Sequence, residues 1–138
     1  MAAKLISLLL TLLLSVSPAL ASAEAEPEKE EPGPKFVNVG PVEVPVLKNG
    51  KVIQYVGIRV ALEVPDKATA DEVSARIPAL NDAYITMLYG AFAVGDSLKD
   101  GLVDVDKMRV RLEQANLKVL PHGIRPRVLL QMVHQSQK

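Results

Sequence analysis

The chain has 138 residues, of which 49% are hydrophobic, and its 16 basic and 16 acidic side chains give a formal net charge of zero. It contains no cysteine, which excludes thiol catalysis, disulfide bonds, thiolate metal sites and cysteine-linked lipid. From Lys35 onward there are 14 Lys and Arg against 11 Asp and Glu. This small excess excludes the strongly basic footprint of a nucleic-acid-binding protein.

The first 23 residues have the pattern of an export signal. Leu5 to Val16 is an uncharged, leucine-rich block of 12 residues, shorter than the roughly 20 that a membrane-spanning helix needs. Ala21 and Ala23 flank a serine, and such small residues suit a signal peptidase. We therefore predict that residues 1–23 are a signal peptide cleaved after Ala23. The alternative is an uncleaved inner-membrane anchor over residues 5–23, and both interpretations export the remainder to the periplasm.

Residues 24–35 form an acidic segment between this leader and the folded part. Its first 11 residues hold five Glu and three Pro and no branched aliphatic or aromatic side chain. Such a segment buries too little apolar area to offset the entropy of ordering it. We predict a disordered linker here and a single domain over residues 36–138.

The domain begins with a predicted β-hairpin. Residues 36–47 and 51–64 are rich in β-branched residues, and the second run alternates apolar and polar positions, with Gln54 as an exception. Asn49-Gly50 between them suits a two-residue turn with positive φ at both positions. Pro41 and Pro45 lack the N–H that a central strand needs, so we expect the first strand to be an edge.

Two helical regions and a third strand follow. Thr69 and Glu72 fit a capping box that places a helix start near Ala70, and Pro78 predicts a break before a second helix. On that second helix we expect one apolar stripe in the core and another, Ile85, Tyr89 and Phe92, in a contact between helices. A third helix is predicted over residues 104–120 and a strand over residues 124–135. The order ββααβ predicts a two-layer α/β (α+β) domain with helices on one face of a small sheet.

The sequence offers little catalytic chemistry. It has two histidines, neither with an acidic residue or a second histidine one helical turn away. No glycine-rich phosphate loop or nucleophile elbow occurs. We therefore predict a protein that is not an enzyme, with no metal site and no cofactor.

Two candidate interaction surfaces remain. The first is a basic side of the third helix formed by Lys107, Arg111 and Lys118, for which the alternative is a solvated helix face. The second is an apolar hairpin face, which we expect to support self-assembly. Its residues are Val42, Val44, Val46, Ile53 and Tyr55. A bulge at Gly40 or Gly57 would instead change which side chains face the core.

Three stretches resemble the periplasmic domain of the FliL flagellar basal-body family. The extended run from Tyr55 to Glu63 is similar to a strand that precedes a helix in that family. The residue pattern of that following helix in the family is matched here by Pro78, Leu80, Asp82, Ile85 and Leu88. A later helix pattern is matched by Gly101, Met108, Arg109, Leu112, Asn116 and Val119. The closing strand is matched by Gly123, Ile124, Val128 and Gln135.

The resemblance implies a stomatin-like (SPFH-type) fold and a non-enzymatic role beside the flagellar stator. It also implies protein partners at the basal body, proximity to the inner membrane and self-association into a homo-oligomer. The alternative hypothesis is a free periplasmic ligand-binding or chaperone-like module. Fold and partner are separable properties, so one can be kept while the other changes.

Overall fold

A computed structural model describes residues 31–137. The predicted signal peptide, with Ala21 and Ala23, and most of the acidic linker lie outside these residues. The elements in chain order are β1 (Lys35–Lys48), β2 (Lys51–Val64), α1 (Lys67–Ser74), α2 (Ile77–Ala93), β3 (Leu98–Lys99), β4 (Leu102–Val103), α3 (Val105–Val119) and β5 (Arg127–Gln137). None of the helices in the described part is long and apolar enough to cross a bilayer.

The main sheet has three antiparallel strands in the order β1-β2-β5. The predicted hairpin is confirmed, since Asn49 and Gly50 have φ of 52° and 71° and Lys48 pairs with Lys51. The edge position of β1 is confirmed as well. Its prolines therefore remove donors from a strand that has a partner on one side only.

Two register shifts in the hairpin decide which side chains reach the core. Val39 pairs with Val60, but Val42 pairs with Ile58, so two residues of β1 lie opposite one of β2. The extra residue reverses the alternation after Gly40, as a bulge does. A second shift falls between Val46 and Leu47 of β1. As a result the buried valines occupy odd positions before the first bulge and even positions after it.

The first helix begins earlier than the sequence predicted. The side chain of Asp66 caps α1 by accepting a hydrogen bond from the Thr69 backbone N–H at 2.7 Å. The predicted capping box beginning at Thr69 is therefore wrong, because an aspartate three residues upstream takes that position. The predicted break is confirmed, since α1 ends at Ser74 and α2 begins at Ile77 with Pro78 in its first turn. Proline suits the first turn because its missing N–H has no partner there anyway.

The helices cover one face of the sheet and form the core with it. The fully buried helical side chains are Val73, Leu80, Tyr84, Leu88, Met108, Leu112 and Ala115. The prediction that the second stripe of α2 packs inside the domain is wrong in part: Phe92 is 1% exposed, but Ile85 and Tyr89 are each 45% exposed. The opposite face of the sheet carries exposed Phe36, Tyr55 and Met132.

A polar contact ties the short ribbon of β3 and β4 to the sheet. Gln54 interrupts the apolar alternation of β2 and is buried. Gln135 lies beside it on β5, donating from Nε2 to the Gly101 carbonyl at 3.1 Å and accepting from the Val103 N–H at 3.1 Å. The segment between α2 and α3 therefore contains a two-stranded ribbon, held by side-chain amides. The whole is an α+β domain with a small antiparallel sheet.

Candidate functional site: a groove between the two long helices

A groove of about 400 Å³ lies between α2 and α3 on the side of the helical layer that faces solvent. It exists because the facing side chains are small, so the two helices do not fill the space between them. Its lining consists of Asp82, Ala83, Thr86, Met87, Gly90, Ala91, Val94, Arg111, Ala115 and Lys118. Alanines and glycine supply the floor, and long or polar side chains stand at the rim.

The rim of the groove carries charges of both signs. Asp82 lies on the α2 side, and Arg111 and Lys118 lie on the α3 side, two helical turns apart. The Arg111 guanidinium donates to the carboxylate of Asp96, which holds the pKa of that carboxyl below its usual range. Lys107 Nζ also donates to the Asp96 backbone carbonyl at 3.1 Å.

The predicted basic surface is thus divided by one carboxylate. Lys107 and Arg111 both form ion pairs with Asp96, so much of their charge is balanced within the chain. Lys118 has no acidic partner within the described residues and lies at the groove. The structure brings Arg111 and Lys118 together at one site and directs Lys107 toward the loop before β3.

The predicted hairpin surface is not a single exposed face. Val42, Val44 and Val46 are between 0% and 2% exposed and belong to the core. The bulge after Val39 turns these three inward, as the alternative interpretation expected for Gly40. Ile53 and Tyr55 remain exposed, at 42% and 36%. These two side chains lie apart from the valines with which the sequence grouped them.

A buried hydrogen bond joins the two helices beneath the groove. Tyr84 of α2 is fully buried, and its hydroxyl donates to Asn116 Oδ1 of α3 at 2.6 Å. Burial raises the pKa of the Tyr84 phenol because the charged form loses its solvation. The second polar atom of the amide, Asn116 Nδ2, is buried without an acceptor among the described residues. The signal for this bond in the sequence is Asn116, a polar amide among the apolar residues of the inner face of α3.

The groove is equipped for binding. An apolar floor excludes water from a bound surface, and a few polar groups at the rim fix its orientation.

The two histidines lie elsewhere and are exposed, one in the turn after α3 and the other on β5. Within residues 31–137, no three His, Asp or Glu side chains are grouped to hold a metal ion.

The chain matches no protein-family model and shows no significant similarity to a curated protein.

Proposed function

We propose that this protein is an exported, non-enzymatic accessory protein of the FliL type, which binds components of the flagellar basal body or stator and supports motility. One observation carries the proposal. The outer surface of α2 carries two features: the groove that it forms with α3, and, outside the groove lining, Ile85 and Tyr89, which lie one helical turn apart and are each 45% exposed. Exposed apolar side chains and a preformed groove on the same helix are typical of a surface that a protein partner covers.

The residues that resemble the FliL pattern support this location. Leu80, Leu88 and Leu112 are fully buried, so these motif positions serve the core. Asp82 and Ile85 belong to the same motif but are exposed, and Asp82 lies at the groove rim. The resemblance therefore covers both the packing of the helical layer and its outer surface.

The same proposal includes the finer fold assignment, a stomatin-like (SPFH-type) arrangement. A long hairpin, two successive helices separated at a proline, a third helix and a final strand returning beside β2 support it. It also includes a periplasmic location near the inner membrane, because residues 1–23 have the pattern of an export signal.

Motility of a deletion strain tests the proposal. The gene is deleted and replaced with the wild-type form, with Thr86→Trp or with Gln114→Trp. Thr86 is exposed and lines the groove, so tryptophan there fills it without disturbing the core. Gln114 is exposed on α3 and is not part of the groove lining, which makes it the matched control.

We expect the deletion and Thr86→Trp to reduce swimming in viscous medium and stator occupancy, and Gln114→Trp to restore both. Normal swimming and normal stator occupancy in the deletion strain would refute the motor role.

A second candidate function is a free periplasmic ligand-binding or chaperone-like module. The groove volume of about 400 Å³ favours it, because small-molecule sites span roughly 300–1,000 Å³. Cell fractionation separates the two functions. Motor work predicts recovery with membranes or basal bodies, whereas a free module is released by osmotic shock.

A further inference from the structure

A second binding feature lies on the other flank of α3, along the free edge of the sheet. One hollow of about 250 Å³ is formed by Glu113, Asn116, Leu117, Ile124, Arg125 and Pro126. Another of about 290 Å³ is formed by Arg109, Glu113, Arg127, Val128, Leu129 and Leu130. The two share Glu113, and both lie between α3 and the chain that leads into and begins β5. We call the pair the α3–β5 channel.

The backbone along this channel is open to a further strand. β5 is the last strand of the sheet order, so one side of its 11 residues has no neighbouring strand in the described part of the chain. The opposite edge, β1, is protected by Pro41 and Pro45, whereas β5 contains no proline and is regular from Arg127 to Leu130, the part that lines the channel, before a register shift at Gln131. An unprotected edge offers a row of backbone donors and acceptors to an extended peptide.

The channel is closed at one end. Beyond the 250 Å³ hollow the space narrows to about 20 Å³ against the turn of residues 121–123. A strand added antiparallel to β5 runs toward this turn with its carboxyl end leading. Little space is available beyond this point, so the end of a peptide chain fits there better than a continuing chain does.

Two groups at the closed end suit a carboxylate. Asn116 lines the hollow, is 3% exposed, and its Nδ2 donor has no acceptor among the described residues. The bond from Tyr84 holds Asn116 Oδ1 in the core, so Nδ2 is the end of the amide that is left to bind a ligand. Arg125 is exposed at the rim and has no acidic partner within residues 31–137. A buried donor without an acceptor is costly, and a bound oxygen removes that cost.

The walls define what the rest of the ligand resembles. Leu117, Ile124 and Pro126 surround the closed end and suit an apolar final side chain. Glu113 is the one acidic group in the lining and can accept from a peptide N–H midway along the channel. Arg109 and Arg127 stand at the open end, where they form ion pairs with Asp106 and Glu63, so their charge is largely balanced within the chain.

We propose that the α3–β5 channel binds the free C-terminus of a partner protein as an added antiparallel strand, with the terminal carboxylate received by Asn116 Nδ2 and Arg125. This site is distinct from the α2–α3 groove, and the proposal holds whether or not the partner belongs to the flagellar motor.

Selection from random heptapeptides displayed with free C-termini on the immobilised full-length protein tests the proposal. We expect enrichment of peptides with an apolar last residue, and at least tenfold weaker binding when the best peptide is made as its C-terminal amide. N-methylation of alternate peptide nitrogens should also weaken binding at least tenfold, because strand addition needs those donors. Selection of no common sequence, or equal binding of acid and amide, would overturn the proposal.

Variants locate the binding. Arg125→Gln and Asn116→Asp should each lower the affinity at least tenfold, and the aspartate keeps an acceptor for Tyr84 while replacing the amide donor. Lys118→Gln, in the α2–α3 groove, should leave affinity unchanged. If Asn116→Asp does not fold, the affinity of Arg125→Gln and the comparison of the acid peptide with its amide still test the proposal. Loss of affinity in Lys118→Gln alone would place the peptide in the other groove and contradict the assignment.

Discussion

Replacing Tyr84 by phenylalanine removes one hydroxyl from the centre of the helical layer. The ring stays in place, so the core keeps its packing and no cavity forms. The variant loses the 2.6 Å hydrogen bond to Asn116 Oδ1. Both partners are buried, since Tyr84 is 0% exposed and Asn116 is 3% exposed. Leaving a buried acceptor without its donor costs about 1–3 kcal/mol. We therefore expect Tyr84→Phe to lower the free energy of unfolding by that amount.

Urea denaturation followed by circular dichroism measures the effect. The free energy of unfolding of a small domain falls by about 1–3 kcal/mol per molar urea. The urea concentration at the unfolding midpoint should therefore fall by about 1 M, with this slope unchanged. Tyr89→Phe is the control, since Tyr89 lies on the same helix and is 45% exposed. We expect it to change stability by less than about 0.5 kcal/mol. Equal effects of the two variants would refute the view that this bond joins the helices.

Stability should fall as pH rises above about 10, because the unfolded phenol of Tyr84 ionises there while burial keeps the folded pKa higher; alkaline denaturation of Tyr84→Phe should lack this component. Asp96→Asn should reduce the loss of stability that acid denaturation measures below about pH 4. The Arg111 contact lowers the folded pKa of the Asp96 carboxyl, so the stability that this carboxyl contributes is lost as the pH falls. Val44→Ala should destabilise the protein by about 1–3 kcal/mol in urea, whereas Ile53→Ala should change stability by less than about 0.5 kcal/mol; the reverse order would contradict the bulged register.

Local signals in the sequence were sufficient for most of the elements. Asn49-Gly50 defined the hairpin turn because few other pairs accept positive φ at both positions. Pro78 defined the helix break because proline cannot continue a helix from the preceding turn. Asp104 caps α3 by accepting from the Lys107 N–H at 3.1 Å, where the third helix was predicted to start.

Features that depend on one extra residue or on tertiary packing were not determined by these signals. Gly40 and Pro41 fit both a regular and a bulged strand, and the choice depends on which valines the helices cover. Asp66 and Thr69 are both good capping residues, and their chemistry does not select between them. The stripe containing Tyr89 was expected to be buried, yet the domain has no further layer within residues 31–137 to cover it.

The groove was also beyond sequence analysis. Its volume arises from small side chains on two helices that are distant in the chain, such as Gly90 and Ala115. Arg111 and Lys118 were recognised as one basic side, but the division of that side by Asp96 needed the fold of the intervening loop.

Recognition of another protein by the helical layer is the central claim, and photo-crosslinking in living cells tests it most directly. The photoreactive residue p-benzoylphenylalanine is placed at Thr86 in the groove or at Asn38, which is exposed on β1 outside it. We expect a covalent adduct with a basal-body or stator component from position 86, lost on Tyr89→Asp, and none from position 38. Only uncrosslinked protein from position 86, or the same adducts from both positions, would contradict it.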